Sequence, residues 1–272
     1  MKKIIFILFC FLNSFFAKAG DGDCNCPGSH KSDKGTFYFA WGYNRDWFSK
    51  SDIHFYDAGK NYDFTLYDAK AKDRAGFDLI VRQAAKFDFT IPQYNYRMGY
   101  YFPKKNNIGI EINFDHTKYV MVDYQTLHLK GQIGDKHYDL DTLITPDGFL
   151  QFEHTNGANF LMVNFLYRKN LLKSKNQKQW LSIVVKPGAG IVIPKTDVTL
   201  FGEQLDNKFH IAGWLTGVET GIRYDYKHFF AEFTGKGTFA NYSDVLILPG
   251  TKANHHFWCA EAILTAGFQF GL

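Results

Sequence analysis

The chain has no long apolar stretch after its amino terminus, little proline and little cysteine. Nowhere past residue 12 do ~18 apolar residues stand together, so no membrane-spanning helix is written there. No segment sustains a 3.6-residue apolar period, which removes helical bundles. Only 7 prolines interrupt 272 residues, leaving long segments free of strand breakers. The net charge of +4 is mild, and no basic stripe interleaved with aromatics occurs, so nucleic acid is set aside as a partner. Of 4 cysteines, Cys10 sits in the leading apolar run, Cys24 and Cys26 form a C-x-C in a Gly/Asp-rich segment, and Cys259 stands alone. Export would permit a disulfide but leaves one thiol unpaired. One C-x-C is a weak metal signal.

What the chain does have is aromatic side chains, 18% of all residues, with 28 Phe and 16 Tyr. That weight suits wide strands bordered by aromatic girdles. At the front, Met1 to Lys3 are a basic head, Ile4 to Leu12 an apolar run, and Ala17-Lys18-Ala19 an A-x-A site. The run is short of the ~20 residues a spanning helix needs, so 1–19 reads as a secretory signal peptide cleaved after Ala19. Residues 20–34 read as a periplasmic leader and 35–272 as the folded body.

In that body the recurring period is two, which places alternate side chains on opposite faces of a sheet. From Pro92 to Phe102, Tyr94, Tyr96, Met98, Tyr100 and Phe102 face one way; Gln93, Asn95, Arg97 and Gly99 face the other. After the polar turn 103–107, Ile108, Ile110, Ile112 and Phe114 alternate with Gly109, Glu111, Asn113 and Asp115. Six further segments show the same split, centred on 37–43, 161–168, 183–193, 214–224, 229–239 and 258–270. A soluble β-sandwich also alternates. The connections here, however, alternate between short ones after Phe102, Arg168 and Tyr224 and long ones over about 46–90, 118–148, 194–207 and 241–256. Short periplasmic turns with long extracellular loops mark an outer-membrane barrel. The terminal segment Thr265 to Leu272 is similar to the carboxyl-terminal strand signal that the barrel-assembly machinery reads, with Leu272 where Phe is usual.

The expectation is therefore an all-β fold, a closed antiparallel transmembrane β-barrel of about eight strands (8–10), in the outer membrane of a Gram-negative bacterium. Closure is forced because hydrocarbon offers no partner for an open strand edge. The inward residues Arg97, Arg168, Lys186, Arg223 and Lys236 then meet Glu111, Asp115, Glu219, Glu232 and Glu261. A barrel this narrow is filled by its side chains, so these charges should form a packed network, not a channel. Arg97 should lie opposite or diagonal to Glu111.

With the lumen filled, function falls to the outer rim and its loops. The loop 46–90, with Asp46, Asp52, His54, Asp63, Asp68, Asp73 and Arg74, reads residue by residue as solvated surface. The rim between the third and fourth strands is richer: Asp115-His116-Thr117-Lys118-Tyr119 rises as Glu153-His154-Thr155-Asn156-Gly157-Ala158-Asn159 descends. By parity His154 and Asn156 point inward with Asp115, and His116 points outward. His116 and His154 with Asp115 or Glu153 could hold a divalent metal, or a histidine could act as general base. Rim His and Asn can equally satisfy backbone groups or phosphate. His255-His256 reads as an exposed echo of this rim.

The stretch Phe152 to Arg168 resembles the F-x-x-T-[ND]-G-x-N-x-x-x-x-N-x-x-Y-R segment of lipid A oxidase-type outer-membrane proteins. Three other pieces are similar in order: Ile91-Pro92-Gln93-Tyr94, Asp115 to Val120, and Gly188 to Pro194. The resemblance spans about residue 91 to the carboxyl end. It implies a barrel that works on the glucosamine backbone of lipid A, with oxygen and a metal, on lipopolysaccharide of the outer leaflet. A site of that kind would be built on His154, Asn156, His116, Asp115 and Thr155. Lipid A deacylase barrels carry His-x-Ser-Asn; His154-Thr155-Asn156 is one residue short and lacks the serine, which puts deacylation in doubt. The competing expectations are a barrel whose aromatic loops bind glycan, lipid or a protein without chemistry, and a purely structural membrane protein.

Overall fold

A computed structural model describes residues 35–57, 59–74, 93–103, 105 and 107–271. The segment 1–34, read above as a signal peptide and a leader with Cys24 and Cys26, lies outside the described residues, as do Ile91, Pro92, Leu272 and 75–90 of the first loop. The described residues form strands and turns only: β1 (Thr36–Phe48), β2 (Ser51–Asp57), β3 (Tyr62–Ala69), β4 (Ala71–Asp73), β5 (Asn95–Tyr101), β6 (Ile108–Asp115), β7 (Tyr119–Met121), β8 (Thr126–Ile133) and β9 (Lys136–Leu143). There follow β10 (Leu150–His154), β11 (Phe160–Lys173), β12 (Gln179–Val192), β13 (Asp197–Leu200), β14 (Glu203–Asp206), β15 (Gly213–Tyr226), β16 (Phe229–Leu246) and β17 (Lys252–Gly271).

Eight of these close a ring. β1, β5, β6, β11, β12, β15, β16 and β17 pair in that order, and β17 returns to β1 from Thr36↔Gly271 to Phe48↔Cys259. Every pairing is antiparallel, and each ring strand coincides with one of the eight alternating segments. The burial pattern is inverted relative to a soluble protein. Phe233 and Leu264 are 57% and 59% exposed on the outer wall, whereas Arg223 and Lys186 are 0% and 1% exposed within. Such a cylinder is stable only where its outer wall meets hydrocarbon, and a closed antiparallel barrel of this kind is an outer-membrane architecture. The protein is an outer-membrane β-barrel.

The lumen is packed with ion pairs. Lys186 Nζ lies 3.2 Å from Glu111, 3.2 Å from Glu219 and 2.6 Å from Glu232. Arg97 pairs with Asp115 and, at 3.2 Å, with Glu219; Lys236 bridges Asp115 and Glu261. Arg223 holds Glu232 at 3.0 Å and Asp225 at 2.9 Å. The expected Arg97–Glu111 contact is the diagonal one: Gly99 sits opposite Glu111, and Arg97 Nε is 3.9 Å from it. Gly99 is required because a Cβ there would come within 2.2 Å of the Tyr38 ring, whose hydroxyl donates to Glu111. The periplasmic end is shut by Tyr38, Tyr101, Leu166 and Phe230, with the Arg223 guanidinium 3.5 Å from the Phe230 ring centroid.

The outer segments depart from the expectation of solvated loops. β17 runs beyond the ring to pair with β2, and the sheet continues through β3 and β8 to β9. A second sheet, ordered β14-β13-β10-β7-β4, is joined in sequence to ring strands β6, β11 and β12. Between them lies a dry core that includes Phe55, Phe64, Leu129, Phe152, Val198, Leu200 and Phe257. The local reason is alternation again, Ile53 and Phe55, Phe64 and Leu66, Leu127 and Leu129 facing in. Burying each such ring or branched chain contributes roughly 2 kcal/mol. One chain thus carries a polar core inside the bilayer and an apolar core, the cap, in water above it.

Two outcomes test this arrangement. Lys186→Met leaves three buried carboxylates facing one another without their shared cation. It should destabilise the folded barrel by roughly 3–5 kcal/mol in urea titrations followed by gel mobility. Reconstituted in planar bilayers, the wild-type protein should carry no steady ionic current; a stable open conductance would contradict the sealed lumen.

Candidate functional site at the outer rim

The cap joins the ring through three short connectors: 116–118 between β6 and β7, 155–159 between β10 and β11, and 193–196 between β12 and β13. They are laced together by main-chain bonds. Ala158 N donates to Thr117 O at 2.8 Å, Ile193 N to Asn159 O at 2.9 Å and Lys195 N to Gly157 O at 3.0 Å. Gly157 turns with φ +125°, a conformation that a side chain resists. The Tyr242 hydroxyl reaches from β16 to Ala158 O at 2.7 Å and fixes the middle connector from beneath.

His116 points outward, as parity required. Its ring stacks face to face on Tyr94 with centroids 4.7 Å apart and planes 8° from parallel. Its Nδ1 meets Asn159 Oδ1 at 2.8 Å, and Asn159 Nδ2 donates to Ile193 O at 3.0 Å. Burial lowers the His116 pKa, against a smaller upward pull from Asn159, so the ring is neutral at pH 7 and competent as a base. Tyr94, Phe114 and His116 form one wall of a groove of about 270 Å³, and Asn156, Asn159, Ile193 and Phe209 form the rest. Phe114 continues the outward row of Ile110 and Ile112, so the groove lies at the upper end of the lipid-facing wall.

The five candidate residues do not converge on one centre. His116 and Asn156 share the groove; Asn156, expected to point inward, is instead exposed there and approaches Asp206, because the connector 155–159 breaks the strand alternation. Asp115 faces the lumen, bound by Arg97, Lys236 and Asn113. Thr155 donates to Glu153 at 2.8 Å, and Glu153 pairs with Arg74 at 3.2 Å. His154 is 0% exposed within the cap core. A metal held jointly by His116, His154 and Asp115 or Glu153 does not fit this geometry. Among the described residues no three His, Cys, Asp or Glu side chains gather as a metal centre.

No protein-family model matches the chain, and no curated protein matches it. Among solved structures, the outer membrane protein OprG from Pseudomonas aeruginosa is 12% identical, covering 89% of this chain and 99% of its own with a TM-score of 0.36. The outer membrane protein AlkL is 12% identical, covering 94% and 98% with a TM-score of 0.37. The attachment invasion locus protein Ail of Yersinia pestis, solved with the heparin analogue sucrose octasulfate, is 12% identical, covering 87% and 99% with a TM-score of 0.32.

Sequence reasoning misplaced His255. It is 2% exposed, and its Nε2 lies 3.4 Å from Nε2 of His154. Its place in the run Ala253, His255, Phe257, Cys259, in phase with the inward Glu261, could have shown this. His154 Nδ1 meets Thr196 Oγ1 at 3.1 Å and His255 Nδ1 meets Ser51 Oγ at 3.3 Å. Alternating donors and acceptors satisfy this chain of four when both rings are neutral; two imidazolium rings would set N–H against N–H. Burial, with His210 adding repulsion, lowers the His154 pKa from 6.5 to about 3. His255 lies on the part of β17 beyond the ring, and burial likewise lowers its pKa.

An opened cap takes up these protons near pH 6.5, and the closed cap does not until much lower pH. Cap stability is therefore full above pH 6.5 and should fall progressively toward pH 3. Protease digestion across that range should cut the cap faster as pH falls while the barrel persists. His154→Gln should flatten the profile.

Proposed function

We propose that this outer-membrane barrel is directed at lipid A, whose glucosamine headgroup it engages in the rim groove. The observation that carries the reading is convergence. The four pieces of sequence similar to lipid A oxidase-type proteins contribute Tyr94, His116, Asn156 with Asn159, and Ile193, and these line one groove. Residues about 100 positions apart in the chain meet at the level of the bilayer where lipid headgroups lie. Aromatic rings there offer a platform for a sugar ring, and the amides of Asn156 and Asn159 offer groups that bond hydroxyls. Neutral His116 is the group placed to take a proton from such a hydroxyl. His154 is assigned to the cap core and Asp115 to the lumen network; neither reaches the groove. Any oxidant or metal needed for oxidation would have to come from outside the described residues, so no redox step is assigned.

Lipid A from a Gram-negative host with and without the protein tests the reading by mass spectrometry, alongside lipid retained on the purified barrel. Lipid A should co-purify with the wild type, and His116→Ala or Asn159→Ala should cut retention at least fivefold with the barrel still folded. A change in lipid A mass that disappears in His116→Ala assigns chemistry to the groove. Lipid A neither retained nor altered sinks the proposal.

A further inference from the structure

The cap carries a second recess, on its solvent-facing side and away from the rim groove. Its origin is a β-bulge. Ser51 pairs with Ala69 and Ile53 with Leu66, so Tyr67 and Asp68 together oppose the single residue Asp52. Bulges of this kind re-aim side chains, and here both residues of the bulge line the recess. Asp68 takes φ +59°, a left-handed conformation usually left to glycine, and its N–H is held by the Asp52 carboxylate at 2.9 Å. The floor is braced by Gln125. Its Oε1 accepts from Lys70 N at 2.9 Å, and its Nε2 donates to Lys70 O at 3.1 Å and Val122 O at 2.8 Å.

The result is a cleft of about 410 Å³ in which Tyr67 is the aromatic platform. The ring of His128 lies beside it with centroids 5.8 Å apart, and Asp141 bonds His128 from the edge strand β9 at 3.0 Å. Lys50 meets Asp68 at 3.2 Å, and Lys70 completes the polar rim. A strained aspartate, a bulge and a triply anchored amide at one point make a rigid surface where a plain strand would have served the cap.

We propose that this cleft binds a neutral saccharide. A pyranose ring has an apolar C–H face that suits a phenol ring, and hydroxyls at its edge that donate to carboxylates and accept from ammonium groups. Asp68, Asp141, Lys50 and Lys70 supply both kinds of partner around Tyr67. Two aspartates balance two lysines, so the cleft has no excess positive charge with which to select a sulfated or phosphorylated glycan. The site is independent of the rim groove.

The test uses full-length protein in nanodiscs on an array of neutral and sulfated oligosaccharides. Binding should appear on neutral members. Tyr67→Ala and Asp68→Gly should each weaken it at least tenfold; the glycine suits the left-handed backbone, so Asp68→Gly removes the carboxylate and keeps the bulge. His116→Ala, which tests the rim groove, should leave it unchanged. No neutral glycan bound, binding confined to sulfated glycans, or full binding in both cleft variants overturns the proposal.

Discussion

In hydrocarbon a backbone N–H has no water to turn to, and the meeting of β17 with β1 is what removes the last open edge. That one closure determines where everything else can go. Once the cylinder is sealed, side chains of one parity face lipid and must be apolar, and those of the other share a bore too narrow for solvent. The polar set then has only itself for company. Lys186 sits among three carboxylates because no single carboxylate could satisfy an ammonium removed from water. The network follows from burying charge at all and is not an added stabiliser; a well-packed apolar bore could be as stable. What ion pairs add is a fixed register, since a one-residue slip of any strand would point its charges at lipid.

Above the bilayer the same chain obeys the opposite rule. Where β16 and β17 rise into water, alternate residues that had faced acyl chains must face solvent, and the inward set becomes apolar. The change happens within a few residues of β17: Glu261 belongs to the lumen network, Cys259 and Phe257 to the cap core. At that seam Asn44 and Gln93 both donate to the Asp46 carboxylate, and just above it His154 and His255 pair inside a sheath of Tyr119, Tyr242 and Phe152. Polar groups that belong fully to neither core collect where the two meet.

The ring was legible because every one of its strands obeys a single rule. Tyr94 to Phe102 and Ile108 to Asp115 declare the same split with five residues between them, and six further strands repeat it. The cap was not legible, because its strands are three to eight residues long and interrupted by irregular backbone, such as the bulge with left-handed Asp68 inside β3 and left-handed Tyr124 between β7 and β8. Ile53, Phe55, Phe64 and Leu66 alternate plainly, but which pair with β17 and which with β8 is a tertiary fact. Parity placed His116 outward and Asp115 inward correctly. It also put His154 inward, but not into a dry core, since nothing local says that the lumen ends below it. The balance of five cations against five acids was incomplete because Asp225 and Asp46 fall outside the clearest alternating runs, yet both are buried in the barrel.

These two cores also decide where ligands can act. A filled bore cannot pass a solute, and a dry cap cannot admit one, so recognition is confined to surfaces where the regular wall is broken. The structure breaks it at connectors 116–118, 155–159 and 193–196, where ring passes into cap, and again at the bulge that turns out Tyr67 and Asp68. Regular strands leave little freedom there: each side chain is claimed by lipid, lumen or cap. Irregular backbone releases side chains from that alternation: His116, Asn156, Asn159 and Ile193 in the groove, and Tyr67 and Asp68 in the cleft, are residues so released. Gly157 at φ +125° and Asp68 at φ +59° are therefore parts of the same device, local departures from the strand that let a wall built only to be closed present something to its surroundings.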